Sequence, residues 1–121
     1  MNLFDSSALL AFLQGEPGAD VVETALADGG SCSAVNWSET AQKLIARGAD
    51  WDAARGLLFS YGVDVEPVLG RDAERAAQLW RSGRGLSLAD RLCLATAERL
   101  GATVWTADSV WGSSQQVRQI R

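Results

Sequence analysis

Histidine is absent from all 121 residues, and that gap removes most familiar routes to hydrolysis. Ser-His-Asp triads, Cys-His nucleophiles and paired-histidine ribonuclease chemistry all need imidazole. Cysteine is scarce as well. Without histidine, Cys32 and Cys93 are too few for a structural zinc centre. They stand far apart in apolar surroundings and read as reduced core thiols rather than a disulfide. No apolar run approaches the roughly 18 residues of a membrane span. The opening Met-Asn-Leu-Phe-Asp also lacks the basic and apolar stretches of a secretory signal. The expectation is a cytoplasmic protein that does not enter membranes. Lysine is nearly missing too, so arginine supplies almost all the positive charge.

What is present points to a folded enzyme-sized unit. Apolar residues make up 47% of the chain, too many for disorder, and its length suits one domain over residues 1–121 with a substantial core. The formal charge of −4 argues against nonspecific coating of nucleic acid. Fifteen acids face eleven Lys plus Arg. Setting four acids aside balances the rest, but any four would do so, and position must therefore identify the ones that matter.

Glycines at 29, 48, 62, 83 and 101 each follow a stretch with helical spacing, as left-handed residues closing helices do. Between them the pattern predicts a first strand at Asn2–Phe4 and a helix over Ser6–Gln14. A second helix is expected with Pro17 in its first turn, running to Asp28. Strand two is expected at Ser31–Val35, before a helix over Trp37–Arg47. Asp50 should cap a helix over Trp51–Ser60, and Val63–Val65 reads as strand three. Further helices are expected over Asp72–Arg81 and Leu88–Leu100, with strands at Ala102–Thr106 and Val117–Ile120. Short β-branched strands alternating with helices predict a three-layer α/β/α domain around a mainly parallel sheet of four to five strands.

Four acids stand where strands or loops run into helices: Asp5 in FDSSALLAFL, Glu39 in AVNWSET, Asp90 in LSLADRLCLATA and Asp108 in VWTADSVW. In a parallel α/β fold those junctions gather along one sheet edge, where ligands bind. Each acid has a plain alternative. Asp5 and Asp108 suit helix or turn caps, while Asn36-Trp37-Ser38-Glu39 and Ser87-Leu88-Ala89-Asp90 both have the form of capping boxes. Taken together, clustered carboxylates repel one another until a cation relieves them. In a chain without histidine they point to a hard divalent cation and phosphoryl chemistry.

These segments, in this order, resemble the PIN-domain ribonucleases, specifically the VapC-type toxins of bacterial toxin–antitoxin pairs. FDSSALLAFLQGEPGAD resembles that family's first acidic motif, SAVNWSET its second, and LSLADRLCLATAERLGATVWTADSVW its third and fourth. The resemblance implies Asp5, Glu39, Asp90 and Asp108 as the metal-site acids and catalytic residues, with Asp5 and Asp90 central, and Thr106 as the hydroxyl beside the last acid. It implies Mg²⁺ or Mn²⁺, RNA hydrolysis leaving a 5′-phosphate, a cognate antitoxin covering the acidic groove, and a homodimer. Ser6, Asn36 and Thr106 are candidates for hydrogen bonds that hold the ligands. Six arginines and four acids occupy residues 71–99. Of these arginines, Arg81 and Arg84 are the preferred grips on RNA phosphate. Trp37 and Trp111 are read as core or interface residues in preference to base-stacking platforms.

Two other classes compete. One is a PIN-fold protein-binding module whose catalysis is dispensable. The other is a receiver or aspartyl-phosphate phosphatase, but the phosphatase's second aspartate falls on Ser7.

Overall fold

The short apolar word Asn2–Phe4 becomes the central strand, β1, with Leu3 and Phe4 both wholly buried. A strand apolar on both faces needs cover on both, as expected in a parallel sheet. The computed structural model describes residues 1–83 and 85–121. In it β2 (Gly30–Ser33), β3 (Val63–Glu66), β4 (Thr103–Thr106) and β5 (Val117–Gln119) join β1 in the order β3-β2-β1-β4-β5. Every pairing is parallel, with Leu3 opposite Ser31 and Val104, and Val104 opposite Val117.

Helices α1 (Ser6–Gln14), α2 (Ala19–Leu26) and α4 (Trp51–Ser60) bury Leu9, Val22, Leu26 and Leu58 with Phe4 and Cys32 on one side of the sheet. The other side holds Leu3, Cys93, Ala97, Val104, Trp111 and Val117 beneath α6 (Leu88–Leu100). Helix α5 (Gly70–Gln78) packs on α6, and α3 (Ala34–Ala46) lies against both α1 and α6. Both cysteines are free and buried, in cores on opposite faces of the sheet. Burial, reinforced by nearby acidic charge, pushes both thiols well above their ordinary pKa and leaves them inert. Trp111 is likewise core, and Trp37 stacks on Phe59 with ring centroids 5.4 Å apart.

The expected three-layer fold is present with five strands, the upper end of the expected four to five, and all five glycines take positive φ, although Gly83 lies five residues beyond the end of α5 and closes no helix. Helix α6 keeps its expected limits because Ser87 caps one end and Gly101, at φ 64°, closes the other. Several element ends shift by one or two residues, and three differences have a clear cause or consequence. Pro17 lies outside α2, because Gly18 at φ 93° precedes the helix and abuts Ile120, whose carbonyl oxygen would stand 2.7 Å from any Cβ there. Ala34 and Val35 open α3 instead of closing β2; the cap is Ser33, whose Oγ accepts from the Asn36 amide at 3.2 Å, so Asn36 is not the cap. The helix expected over Asp72–Arg81 occupies Gly70–Gln78.

Candidate functional site

The carboxyl ends of β1, β2 and β4 share one edge of the sheet; Asp5, Glu39 and Asp108 follow from how the chain leaves them, and Asp90 comes from the start of α6. Strand pairing continues one residue past β1, where the Asp5 amide donates to the Trp105 carbonyl at 3.1 Å. This fixes Asp5 at the mouth of α1. Its Oδ1 accepts from the Ala8 amide at 2.8 Å and the Ser7 hydroxyl at 2.7 Å, and its Oδ2 accepts from Thr106 Oγ1 at 2.5 Å. Asp5 is only 3% exposed. Burial is the main cause that pushes its pKa up to about 6; the three hydrogen bonds oppose the rise and the Asp90 charge adds to it.

Asp90 sits in the first turn of α6 and exchanges bonds with Ser87. Its amide donates to Ser87 Oγ at 3.1 Å, and its Oδ2 accepts from the Ser87 amide at 3.0 Å. Burial raises its pKa against those bonds, and Asp108 and Glu39 raise it further. Asp108 caps a 3₁₀ turn at Ser109–Trp111 through Val110 N–H to Oδ1, at 2.9 Å. Its own amide donates to Thr106 Oγ1 at 3.0 Å.

Glu39 behaves differently. With Ser33 as cap, it falls in the second turn of α3, too far along to reach back to the cap amide. Its Oε1 accepts instead from Asn36 Nδ2 at 2.7 Å and Ser6 Oγ at 3.3 Å. Asp5 and Asp108 are therefore genuine caps and Asp90 is the partner in the Ser87 capping box, while Glu39, read as part of a box centred on Asn36, plays neither part.

Ser6, Asn36 and Thr106 all contact an acid. Asn36 and Thr106 are 1% and 0% exposed, so their polar groups have few other partners. Ser7 was missed. Its hydroxyl donates to Asp5 Oδ1 and accepts the Ala107 amide at 2.9 Å, tying the start of α1 to the end of β4. The doubled Ser6-Ser7 after Asp5 is the available signal, and only Ser6 of the pair is picked out from sequence. Arg81 is exposed, and its guanidinium turns back onto the carbonyls of Gln78 and Trp80, not onto any of the four acids. Arg84 lies outside the described residues. Arg75 is committed to Glu98 by two hydrogen bonds.

Among the described residues, none of the four acids forms an ion pair; those pairs involve Asp52, Glu66, Asp72 and Glu98. Nor, among these residues, do three acidic or sulfur side chains close on one point as a finished cage. Spare acceptor capacity is nonetheless present. Glu39 Oε2, Asp90 Oδ1 and Asp108 Oδ2 receive no hydrogen bond from the described residues, and Asp5 Oδ2 receives one. An ionised carboxylate accepts about four bonds.

By sequence, no curated protein matches the chain. Among solved structures, a toxin–antitoxin complex from Klebsiella pneumoniae superposes with a TM-score of 0.81 at 22% identity, over 100% of this chain and 98% of that one. The sarcin-ricin-loop-cleaving toxin VapC20 of Mycobacterium tuberculosis gives 0.74 at 20% identity, over 95% and 98%. PAE2754 from Pyrobaculum aerophilum gives 0.63 at 21% identity, over 98% and 88%. At such identities the likeness speaks for the fold. The PIN domain sequence profile matches residues 3–112, a span that holds all four acids, and the chain belongs to the PIN domain family.

Proposed function

We propose that the protein is a metal-dependent endoribonuclease toxin of the VapC type, held inactive by a cognate antitoxin. The observation that carries this reading is a carboxylate cluster on the carboxyl edge of a parallel sheet, with one member buried and no cation paired to any of them among the described residues. Ionised carboxylates held together in this way are costly unless a cation offsets them. Family membership and the likeness in fold to two toxin structures give the same direction.

The donor set fits Mg²⁺ or Mn²⁺. All the spare atoms are hard carboxylate oxygens, and Mg²⁺ keeps several waters and needs only one or two carboxylates from a protein. An unfinished cage suits such an ion. Asp5 and Asp90 would hold it as central ligands, with Glu39 and Asp108 holding a second position or orienting the attacking water. Bound there, the ion would polarise the scissile phosphate and make a water acidic enough to attack without histidine. Ser7 and Thr106 keep Asp5 oriented, and Asn36 with Ser6 does the same for Glu39. Exposed arginines such as Arg81 would meet RNA phosphates, and a homodimer in the cytoplasm is the expected assembly.

RNA cleavage with Mg²⁺ or Mn²⁺ tests the reading by comparing wild type with Asp5→Asn and Asp90→Asn. Loss of cleavage in folded variants is the expected result. Equal cleavage by all three would sink the metal-site assignment. Absence of cleavage in the wild type, with antitoxin binding retained, would favour the binding-module reading.

A further inference from the structure

Asp108 is held from both sides of its backbone, and one of the two holds comes from a residue that no part of the acidic pattern includes. Its N–H donates to Thr106 Oγ1 at 3.0 Å. Its C=O accepts from Gln119 Nε2 at 2.8 Å, and the same nitrogen donates to the Gly112 carbonyl at 2.7 Å. An amide nitrogen has two hydrogens, and both are used here. Gln119 thus spans the two ends of the 3₁₀ turn Ser109–Trp111. It can do so because parallel pairing sets it opposite Thr106, with Ile120 N–H donating to the Thr106 carbonyl at 3.0 Å.

We propose that Gln119 is a positioning residue for Asp108, setting where Oδ2 of that carboxylate, which takes no bond from the described residues, stands relative to Asp90. This rests on the metal-site reading above. Trp111 anchors the far end of the turn in the core, but the Asp108 end has little else to hold it. Ser109 and Val110 are exposed, and inside the turn the Asp108 carbonyl accepts only a long 3.3 Å bond, from the Trp111 amide. With Gln119 removed, the Asp108 carbonyl keeps that weak bond, and the Gly112 carbonyl loses its tether to the sheet. The Asp108 end of the turn then pivots about the buried Trp111, held on its own side by the Thr106 bond to the Asp108 amide. A carboxylate presented from a pivoting turn spends less time in the geometry that a cation needs, so affinity falls without loss of a ligand atom.

Three variants separate this from a structural role. Gln119→Met keeps the side chain's length and removes both donors. Gln119→Lys restores donors but brings a positive charge close to the acids. Mn²⁺ affinity is measured by calorimetry on the folded proteins, with Asp108→Asn as the reference for complete loss of that carboxylate's charge. The expected result is about tenfold weaker binding for Gln119→Met, with Gln119→Lys between it and wild type. Simple charge repulsion predicts the reverse order, with Lys the weakest, and that order would overturn the proposal. So would Met binding Mn²⁺ as wild type does, whatever its melting temperature. Failure of the metal reading looks different: the wild type itself would then bind no Mn²⁺.

Discussion

Thr106 and Asp5 are separated by 101 residues of sequence, yet their side chains meet at 2.5 Å. The hydroxyl proton goes to Asp5 Oδ2 while its oxygen accepts the Asp108 amide at 3.0 Å, so one threonine orients two of the four acids. Parallel pairing of β1 with β4, Phe4 opposite Trp105, is what brings the two strand ends together.

Thr106→Val keeps the shape and removes the hydroxyl. The Asp108 amide and a buried carboxylate oxygen then both lose a partner. The expected cost is about 1–3 kcal/mol, measured by urea denaturation without metal. Asp5 also loses the largest force opposing its raised pKa, so its pKa rises further. In contrast, Thr106→Ser keeps the hydroxyl and is expected to hold most of the wild-type stability. A Thr106→Val as stable as wild type beside a destabilised Thr106→Ser would show that packing of the methyl group, not the bond, is what matters.

Asp5 gives the metal-free protein a pH dependence of unusual sign for a carboxylate. Its folded pKa of about 6 lies above the ordinary 3.8, so the folded state holds the proton more tightly than the unfolded chain. The stabilisation is complete below about pH 4 and is lost as pH rises to about 6. A shift of that size corresponds to about 3 kcal/mol. Asp5→Asn removes the charge and should flatten this part of the profile, leaving the metal-free variant more stable than wild type at pH 7. Added Mg²⁺ competes with the proton and should restore wild-type stability above pH 6 but not that of the variant. Parallel pH profiles for the two proteins would refute the assignment.

Arg99 is the structural counterpart, an ion pair remote from any proposed chemistry. Its Nε donates to both Asp72 oxygens at 2.9 and 3.1 Å, its Nη1 to Glu66 Oε1 at 3.1 Å, and its Nη2 to the Pro67 carbonyl at 3.1 Å. Burial pushes the Asp72 pKa up, but the Arg99 bonds and the Leu69 amide outweigh it and hold it below the usual range. This stabilisation is present above the ordinary carboxylate pKa and is lost as pH falls through the lowered one. Arg99→Met leaves Asp72, 2% exposed, buried without its partner. The expected loss is about 3–5 kcal/mol near neutral pH, shrinking as acid protonates Asp72. Mn²⁺ affinity below the melting transition should not change, because Arg99 bonds to none of the four acids.

Legibility of the sequence varied with the reach of each signal. Helix α6 was readable to the residue because its start and stop are local: Ser87 with Asp90 at one end, Gly101 at the other. The β2–α3 junction was not. Ala34 and Val35 look like strand, and two good capping residues, Ser33 and Asn36, stand three apart. Only the strand's length decides between them, and that is set by pairing with β3. The error moved Glu39 by one helical turn, from a supposed box member to an acid bonded by the side chains of Asn36 and Ser6. The four acids were legible because each lies beside a junction. Ser7 and Gln119 were not, since their roles depend on partners 100 and 11 residues away.

Ser6 and Ser7 offer the closest comparison in the site, two adjacent serines with the same local propensity and unequal bonds. Ser6 makes one long bond, 3.3 Å to Glu39 Oε1. That oxygen keeps its 2.7 Å bond from Asn36 if Ser6 is lost. Ser7 donates at 2.7 Å to Asp5 and accepts the Ala107 amide at 2.9 Å, where no second acceptor is available among the described residues. Ser7→Ala therefore leaves a backbone donor without a partner and a buried carboxylate with one donor fewer. It should cost about 1–3 kcal/mol, against about 0.5 kcal/mol for Ser6→Ala. Because the lost bond favours the ionised form, the midpoint of the Asp5 transition should move to higher pH in Ser7→Ala alone. Urea melts of both variants at pH 5, 6 and 7 give the two readouts together. Equal stability losses with an unmoved midpoint would mean that Ser7 merely fills the helix start, as its neighbour does.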